Sequence, residues 1–290
     1  VAGVEFSSIF YPGRSFMMRA WFACWILVAA TGSMALGAPQ DGSSDAVTPS
    51  EPIKLFNGKD LTNFHTWLTD TLHEDPRGVF TVKDGLLHIS GDGLGGLITN
   101  EDYKNYHLVT EFKWGKRTWN KRADRSRDAG ILLHCVGPDG NAGPWMASIE
   151  AQIIEGGVGD ILVVGGKYED GSTVPTSLTA DIVLDRDGEK VWKKGGTPTT
   201  INRGRINWYG RDPDWKDVLG FRGANDVESP GEEWTTMECI CDGDKVQYIV
   251  NGTVVNEGYN AFPSAGKLLV QSEYAEIIFR KIDLLPLNKK

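Results

Sequence analysis

From Pro52 to Leu287 apolar and polar residues alternate with period two, in short runs broken by Gly, Asn and Asp. HLVTEFKW (107–114), AGILLHC (129–135), SIEAQIIE (148–155), DILVVGG (160–166), EWTTMECIC (233–241), GKLLVQSE (266–273) and AEIIFRKIDLLPL (275–287) each read as a strand. Two further pairs of runs close on turn dipeptides. VFTVK and LLHIS flank Asp84-Gly85, and KVQYIV and TVVNEG flank Asn251-Gly252. Both are hairpin signals. No stretch of ordinary helix length carries a 3.6-residue apolar stripe. Many strands, Gly-rich turns and no helix predict one all-β sandwich or barrel.

Two stretches break the pattern. GKRTWNKRADRSRD (115–128) is strongly basic, and the segment from about 185 to 232 includes INWYGRDPDWKDVLGFRG. Irregular loops this long in a compact domain are usually functional or disordered. Their Trp, Tyr and Arg content favours function. DRDGE (185–189) echoes the start of a calcium loop but lacks the rest, and reads as a turn.

Alternation assigns side chains to faces. In SIEAQIIE, Ile149, Ala151 and Ile153 share one face, while Ser148, Glu150 and Gln152 share the other. Glu150 and Gln152 then stand about 7 Å apart along the strand. The same test puts His134 with Gly130 and Leu132, and Gln271 and Glu273 with Lys267 and Leu269. A solvated outer face gives this pattern for any one strand, and Glu111 with Lys113 fits that ordinary description. Together, the His, Glu and Gln positions predict a polar sheet face under aromatic loops, the usual build of a carbohydrate site. Trp145, Trp119, Trp208 and Trp215 are rings able to stack on sugars or simply to pack. E-A-Q-I-I-E echoes the E-x-D-x-x-E strand of some sandwich-fold glycosidases. However, Gln152 replaces the central Asp and Glu155 alternates to the other face, so a two-carboxylate mechanism is poorly supported.

A net charge of −9 argues against a nucleic-acid partner held through its phosphates. The N-terminus has another grammar. Residues 1–16 carry no pattern and read as an over-extended start. Residues 17–38, with Met17-Met18-Arg19, the apolar run 21–37 and small residues to Ala38, read as a signal peptide. Its apolar run is short for a membrane span, so the mature protein is expected to have none and to be secreted or periplasmic. Residues 39–51 read as a disordered linker and 52–288 as the domain. Cys135, Cys239 and Cys241 fit either one disulfide bridge or three buried hydrophobes. Neither a structural zinc spacing, nor G-x-S-x-G, nor a phosphate loop occurs.

LFNGKDLTNF (55–64), RDAGILLHCVGPDG (127–140), SIEAQIIEGGVGD (148–160) and LLVQSEYAEIIFRKIDLLPL (268–287) resemble, in order, the 3-keto-disaccharide hydrolase family of secreted bacterial proteins. The resemblance covers nearly everything from Pro52 to Leu287. It implies a concanavalin/laminin-G-like jelly-roll sandwich of two antiparallel sheets, with long loops over a concave face. It further implies a small oligosaccharide or 3-keto-glycoside substrate whose glycosidic bond breaks by elimination and hydration or by hydrolysis. By this resemblance Glu150, His134 and Glu273 are catalytic candidates, and Gln152, Gln271, Asp128, Trp145 and Trp119 contact substrate. Three positions depart from the family pattern. Asp128-Ala129-Gly130 stands where the family often has Asn-Ser-Gly, His134 where it often has Arg, and Glu273 where a His occurs. A divalent metal ion on His134 and Glu273 is an open alternative. A non-catalytic lectin-like module and a structural or adhesion domain of the cell envelope are the rival classes, because fold does not fix function.

Overall fold

Both turn dipeptides do what their chemistry predicts. In the computed structural model, which describes residues 45–287, Asp84 and Gly85 have φ of 53° and 76°, and Asn251 and Gly252 47° and 79°. That left-handed pair is what a type I′ hairpin turn requires.

The strands are, in chain order, β1 (Ile53–Lys54), β2 (Phe64–Leu68), β3 (Phe80–Lys83), β4 (Leu86–Ile89), β5 (Leu94–Thr99) and β6 (Tyr106–Thr118). β7 (Asp128–Val136), β8 (Ala147–Ile154), β9 (Ile161–Val164), β10 (Ser177–Leu184), β11 (Lys190–Trp192) and β12 (Thr197–Ile201) follow. The last are β13 (Gly204–Ile206), β14 (Thr235–Asp242), β15 (Lys245–Val250), β16 (Thr253–Phe262), β17 (Lys267–Glu273) and β18 (Ala275–Pro286). They form two antiparallel sheets. One runs β11-β10-β16-β15-β14-β6-β18-β4-β3, with β1 beside β18 and β12 beside β10. The other has the order β13-β9-β8-β7-β17-β5-β2. This is a jelly-roll sandwich, as expected.

Alternation explains the core. Ile149, Ala151 and Ile153 of β8 pack with Phe112 of β6 and Phe279 of β18 in the layer between the sheets. Leu132 of β7, Leu269 of β17 and Ile98 of β5 belong to a separate apolar cluster. The seven-stranded sheet is therefore apolar within the sandwich and partly covered on its outer face too. Every residue of β7 and β8 is buried.

Two expectations are revised and one open alternative is decided. The stretch 185–232 is not irregular throughout, since β11, β12 and β13 lie within it. Strands of three to five residues are too short for a period-two test. The described part of the expected linker docks on the domain, with Ala46 buried and Val47 N–H bonding the Asp102 carbonyl at 2.8 Å. Cys135, Cys239 and Cys241 are free and buried, which leaves the hydrophobe reading. The expected signal peptide, and the residues before it, lie outside the described residues. Among the described residues no helix is long and apolar enough to cross a membrane.

Candidate functional site

The outer face of the seven-stranded sheet gathers its polar side chains around one glycine. In the register of β7 and β8, Gly130 lies opposite Gln152 and Leu132 opposite Glu150. Glu150 and Gln271 lean over Gly130 from either side. A Cβ added there would meet Glu150 Oε1 at 2.4 Å and Gln271 Oε1 at 2.7 Å. Only glycine leaves room for both, and it leaves bare backbone as the floor. Glu150 is 3 % exposed and Gln271 1 %. Gln271 Oε1 is buried without a hydrogen-bond donor, an arrangement that ordinarily costs about 1–3 kcal/mol.

A charged cluster adjoins this pair. Gln152 Nε2 donates to Asp128 Oδ1 at 2.5 Å. Arg122, from the basic insertion, bonds Asp128 Oδ2 and reaches Glu273 Oε1 at 3.3 Å. Arg205 of β13 faces Leu162 of β9, which faces Glu150, so the three form one row across the sheet. These contacts set the protonation states. Burial, then the Glu273 charge, push Glu150 up to about 8, while Arg205 and the Gln271 amide pull it back. Burial also raises Glu273, opposed chiefly by Arg122. Asp128 is raised well above the usual carboxylate range by burial and Glu273, again against Arg122. Three buried carboxyl groups thus face Arg122 and, at longer range, Arg205, whose Nη1 pairs with Asp160 at 3.1 Å, and at least one proton is held near neutral pH.

The face changes character toward β5. Leu132, Leu269, Ile98, Cys135 and Met146 form an apolar patch on which Trp67 and Trp145 pack, half-buried. Trp145 therefore lies with Trp67 on the apolar part of the face. Trp119 lies at the other end, tied by its backbone N–H to the Tyr274 carbonyl and by Nε1 to the Ser90 carbonyl at 2.8 Å. Trp208 is buried at 1 % exposure, and the Arg211 guanidinium lies over the Trp215 ring 4.5 Å from its centroid, so neither is a free stacking ring. Trp67 was missed because its five-residue strand shows little alternation.

His134 is the clear correction. It adopts φ 56° where the β7–β17 register shifts. The shift returns Cys135 to the Leu132 face. It turns the imidazole into the sandwich, edge-on to Tyr106 with ring centroids 5.5 Å apart. There burial lowers its pKa to about 4. The Pro263 carbonyl opposes this shift, but neither ring nitrogen reaches a partner at hydrogen-bonding geometry. His134 and Glu273 therefore cannot share a metal ion, and His134 takes no part in the site. A bulge defeats face assignment because one extra residue inverts everything after it.

Arg122 and Arg205 were not singled out from sequence. The basic character of 115–128 was the signal for Arg122; nothing pointed to Arg205. Both long loops brace the site. Asp217 accepts from Arg122, Arg125 and the Ser126 N–H. Glu155, just past the end of β8, pairs with Arg127 Nη1 at 2.5 Å and accepts the Gly220 N–H at 2.9 Å.

A family model for the 3-keto-alpha-glucoside-1,2-lyase-like domain, the 3-keto-disaccharide hydrolases, matches residues 51–285. No curated protein matches the sequence. A glycosyl hydrolase candidate from Parabacteroides distasonis ATCC 8503 shares 18% identity, with a TM-score of 0.47, over 84% of this chain and 100% of its own. SCLam, a non-specific endo-beta-1,3(4)-glucanase, gives 10% identity and a TM-score of 0.42 over 83% of this chain and 93% of its own. The carbohydrate-binding module CBM66 from Bacillus subtilis gives 9% and 0.37 over 68% and 84%.

Proposed function

The chain belongs to the 3-keto-alpha-glucoside-1,2-lyase-like family, and from that premise we propose that it cleaves the glycosidic bond of 3-keto-glycosides, with Glu150 as the base. A carbonyl at C3 acidifies the C2 proton. The Glu150 carboxylate takes that proton, and the electron pair passes into a C2–C3 enolate. The enolate expels the C1 oxygen, leaving a 1,2-enone, and the departing oxygen takes a proton from the carboxyl cluster of Glu150, Asp128 and Glu273. Water then adds its oxygen at C1 while a proton returns to C2, completing net hydrolysis.

The pairing that carries this reading is Glu150, held near pKa 8 by burial, against the donor-less Gln271 oxygen above Gly130. A base with pKa near the working pH combines availability with driving force. Gln271 Oε1 suits a sugar hydroxyl, which supplies the missing donor. Arg205, on the Glu150 row, supports the enolate charge. The Trp67 and Trp145 wall suits the apolar face of a neighbouring ring. Export, implied by residues 17–38, suits an enzyme meeting small oligosaccharides outside the cytoplasm, and N-terminal sequencing of the mature protein tests it.

The decisive experiment incubates the protein with a 3-keto-disaccharide beside its unoxidised parent. Cleavage of the keto sugar alone supports the proposal. Cleavage of both makes the protein an ordinary glycosidase, and saturable binding without turnover makes it a lectin-like module. Neither binding nor turnover leaves an envelope adhesion role.

A further inference from the structure

Outside the carboxylate cluster, the same sheet face carries a second set of ligand-type side chains. His65, His73 and Asp139 offer ligand atoms all within 4.8 Å of one another, the only such cluster among the described residues. His65 faces Ile98, which faces Leu269, then Leu132, then Glu150. Four strand steps of ~4.8 Å put it about 19 Å from Glu150, so the two sites are separate.

The hydrogen bonds around His65 fix its tautomer. Asn100 Nδ2 donates to the Thr62 carbonyl at 3.0 Å, which turns Asn100 Oδ1 toward His65 Nδ1 at 3.1 Å. Nδ1 therefore carries a hydrogen. In the neutral ring Nε2 then aims its lone pair at Asp139 Oδ2, 2.9 Å away. Two lone pairs so close require a cation between or beside them. A proton would satisfy that pair alone, but a second imidazole stands beside it. The His73 ring centroid is 5.8 Å from that of His65, and His73 Nδ1 lies 3.9 Å from Asp139 Oδ2. A proton has no use for the second imidazole, whereas a metal ion takes it as a third ligand. Tetrahedral ligands at ~2.1 Å from an ion are about 3.4 Å apart, between the two separations found. His65 also shows the outer-shell pattern of metal-bound histidine, with its other ring nitrogen donating to a fixed carbonyl oxygen.

We infer that His65, His73 and Asp139 bind a divalent transition-metal ion of the imidazole-preferring kind, with an exposed position left for water. His73 Nδ1 also lies 3.2 Å from the Thr66 carbonyl; with its side chain 63% exposed, the ring has room to leave that contact and turn the remaining distance to the ion. The ion would pin the 137–145 loop, which carries Trp145, to β2, which carries Trp67. Gly140 of that loop already packs on the Trp67 ring.

The test uses tag-free protein stripped with a chelator, then titrated with Zn²⁺ by calorimetry and with Co²⁺ by visible absorption. One equivalent should bind, with a rise in Tm at saturation. His65→Gln and Asp139→Asn should each weaken binding at least tenfold and abolish the Tm rise while leaving the metal-free fold intact. Absence of saturable binding overturns the proposal in favour of a proton shared by His65 and Asp139. Equal affinity in wild type and both variants overturns it by placing the metal elsewhere. Neither readout depends on turnover of any sugar.

Discussion

Glu150→Gln should stabilise the protein at high pH while stopping the reaction. Burial and Glu273 move the Glu150 carboxyl from 4.5 to about 8. A group raised in this way contributes its full stability below the unfolded value and loses it as pH climbs through the folded one. At ~1.36 kcal/mol per unit, the ionised carboxylate costs the fold up to about 5 kcal/mol above pH 8. Part of that cost belongs to Glu273, whose own ionisation adjusts when its neighbour loses charge. About half of the ceiling, roughly 2–3 kcal/mol, is therefore the expected gain at pH 9. Below pH 4.5 the gap between variant and wild type should vanish, since both side chains are then neutral and nearly isosteric. Glu228, also pushed up to about 8 by burial, is present in both proteins and cancels in the difference. Urea unfolding of the two proteins at intervals from pH 4.5 to 9 measures the gap directly. Turnover of a 3-keto substrate should fall by about 10²–10⁴-fold, the usual worth of a general base. The ascending limb of the wild-type pH–rate profile, with its inflection near 8, should disappear. A stability gap that stays flat across this range, or a variant less stable than wild type at pH 9, would refute the burial argument for Glu150.

Three further outcomes follow from the same geometry. Gly130→Ala pushes a methyl into Glu150 Oε1 and Gln271 Oε1; because both are flexible ends, thermal unfolding should change little while turnover falls at least tenfold. Arg122→Ala leaves Asp128 and Glu273 without their guanidinium. Chemical denaturation should show a loss of about 3 kcal/mol at pH 8, and less at pH 5 where the carboxyls protonate. His134→Leu should keep activity and flatten the acid limb of stability. The lowered pKa of His134 gives stability that is present above pH 6.5 and lost as pH falls through about 4. That loss is worth about 3 kcal/mol in wild type.

What sequence determined here is what strand geometry makes local. A strand sends successive side chains to opposite faces whatever its partner, so Glu150 with Gln152, and Gln271 with Glu273, were assigned to common faces from spacing alone. The same holds for the hairpins, because Asp84-Gly85 and Asn251-Gly252 tolerate positive φ in any context. Tertiary structure decided the rest. The register shift between β7 and β17 sent His134 into the core, and that bulge depends on a partner strand more than 120 residues away. Arg122 reaches the carboxyls from the 115–128 insertion and Arg205 from the edge strand β13, and their charges help set which protons stay bound. Trp67 and the His65–Asp139 contact, the latter spanning 74 residues, likewise depend on how the strands assemble. Periodicity records the face of each residue. Pairing and burial, which act between distant segments, determine which faces meet and how strongly a carboxyl holds its proton.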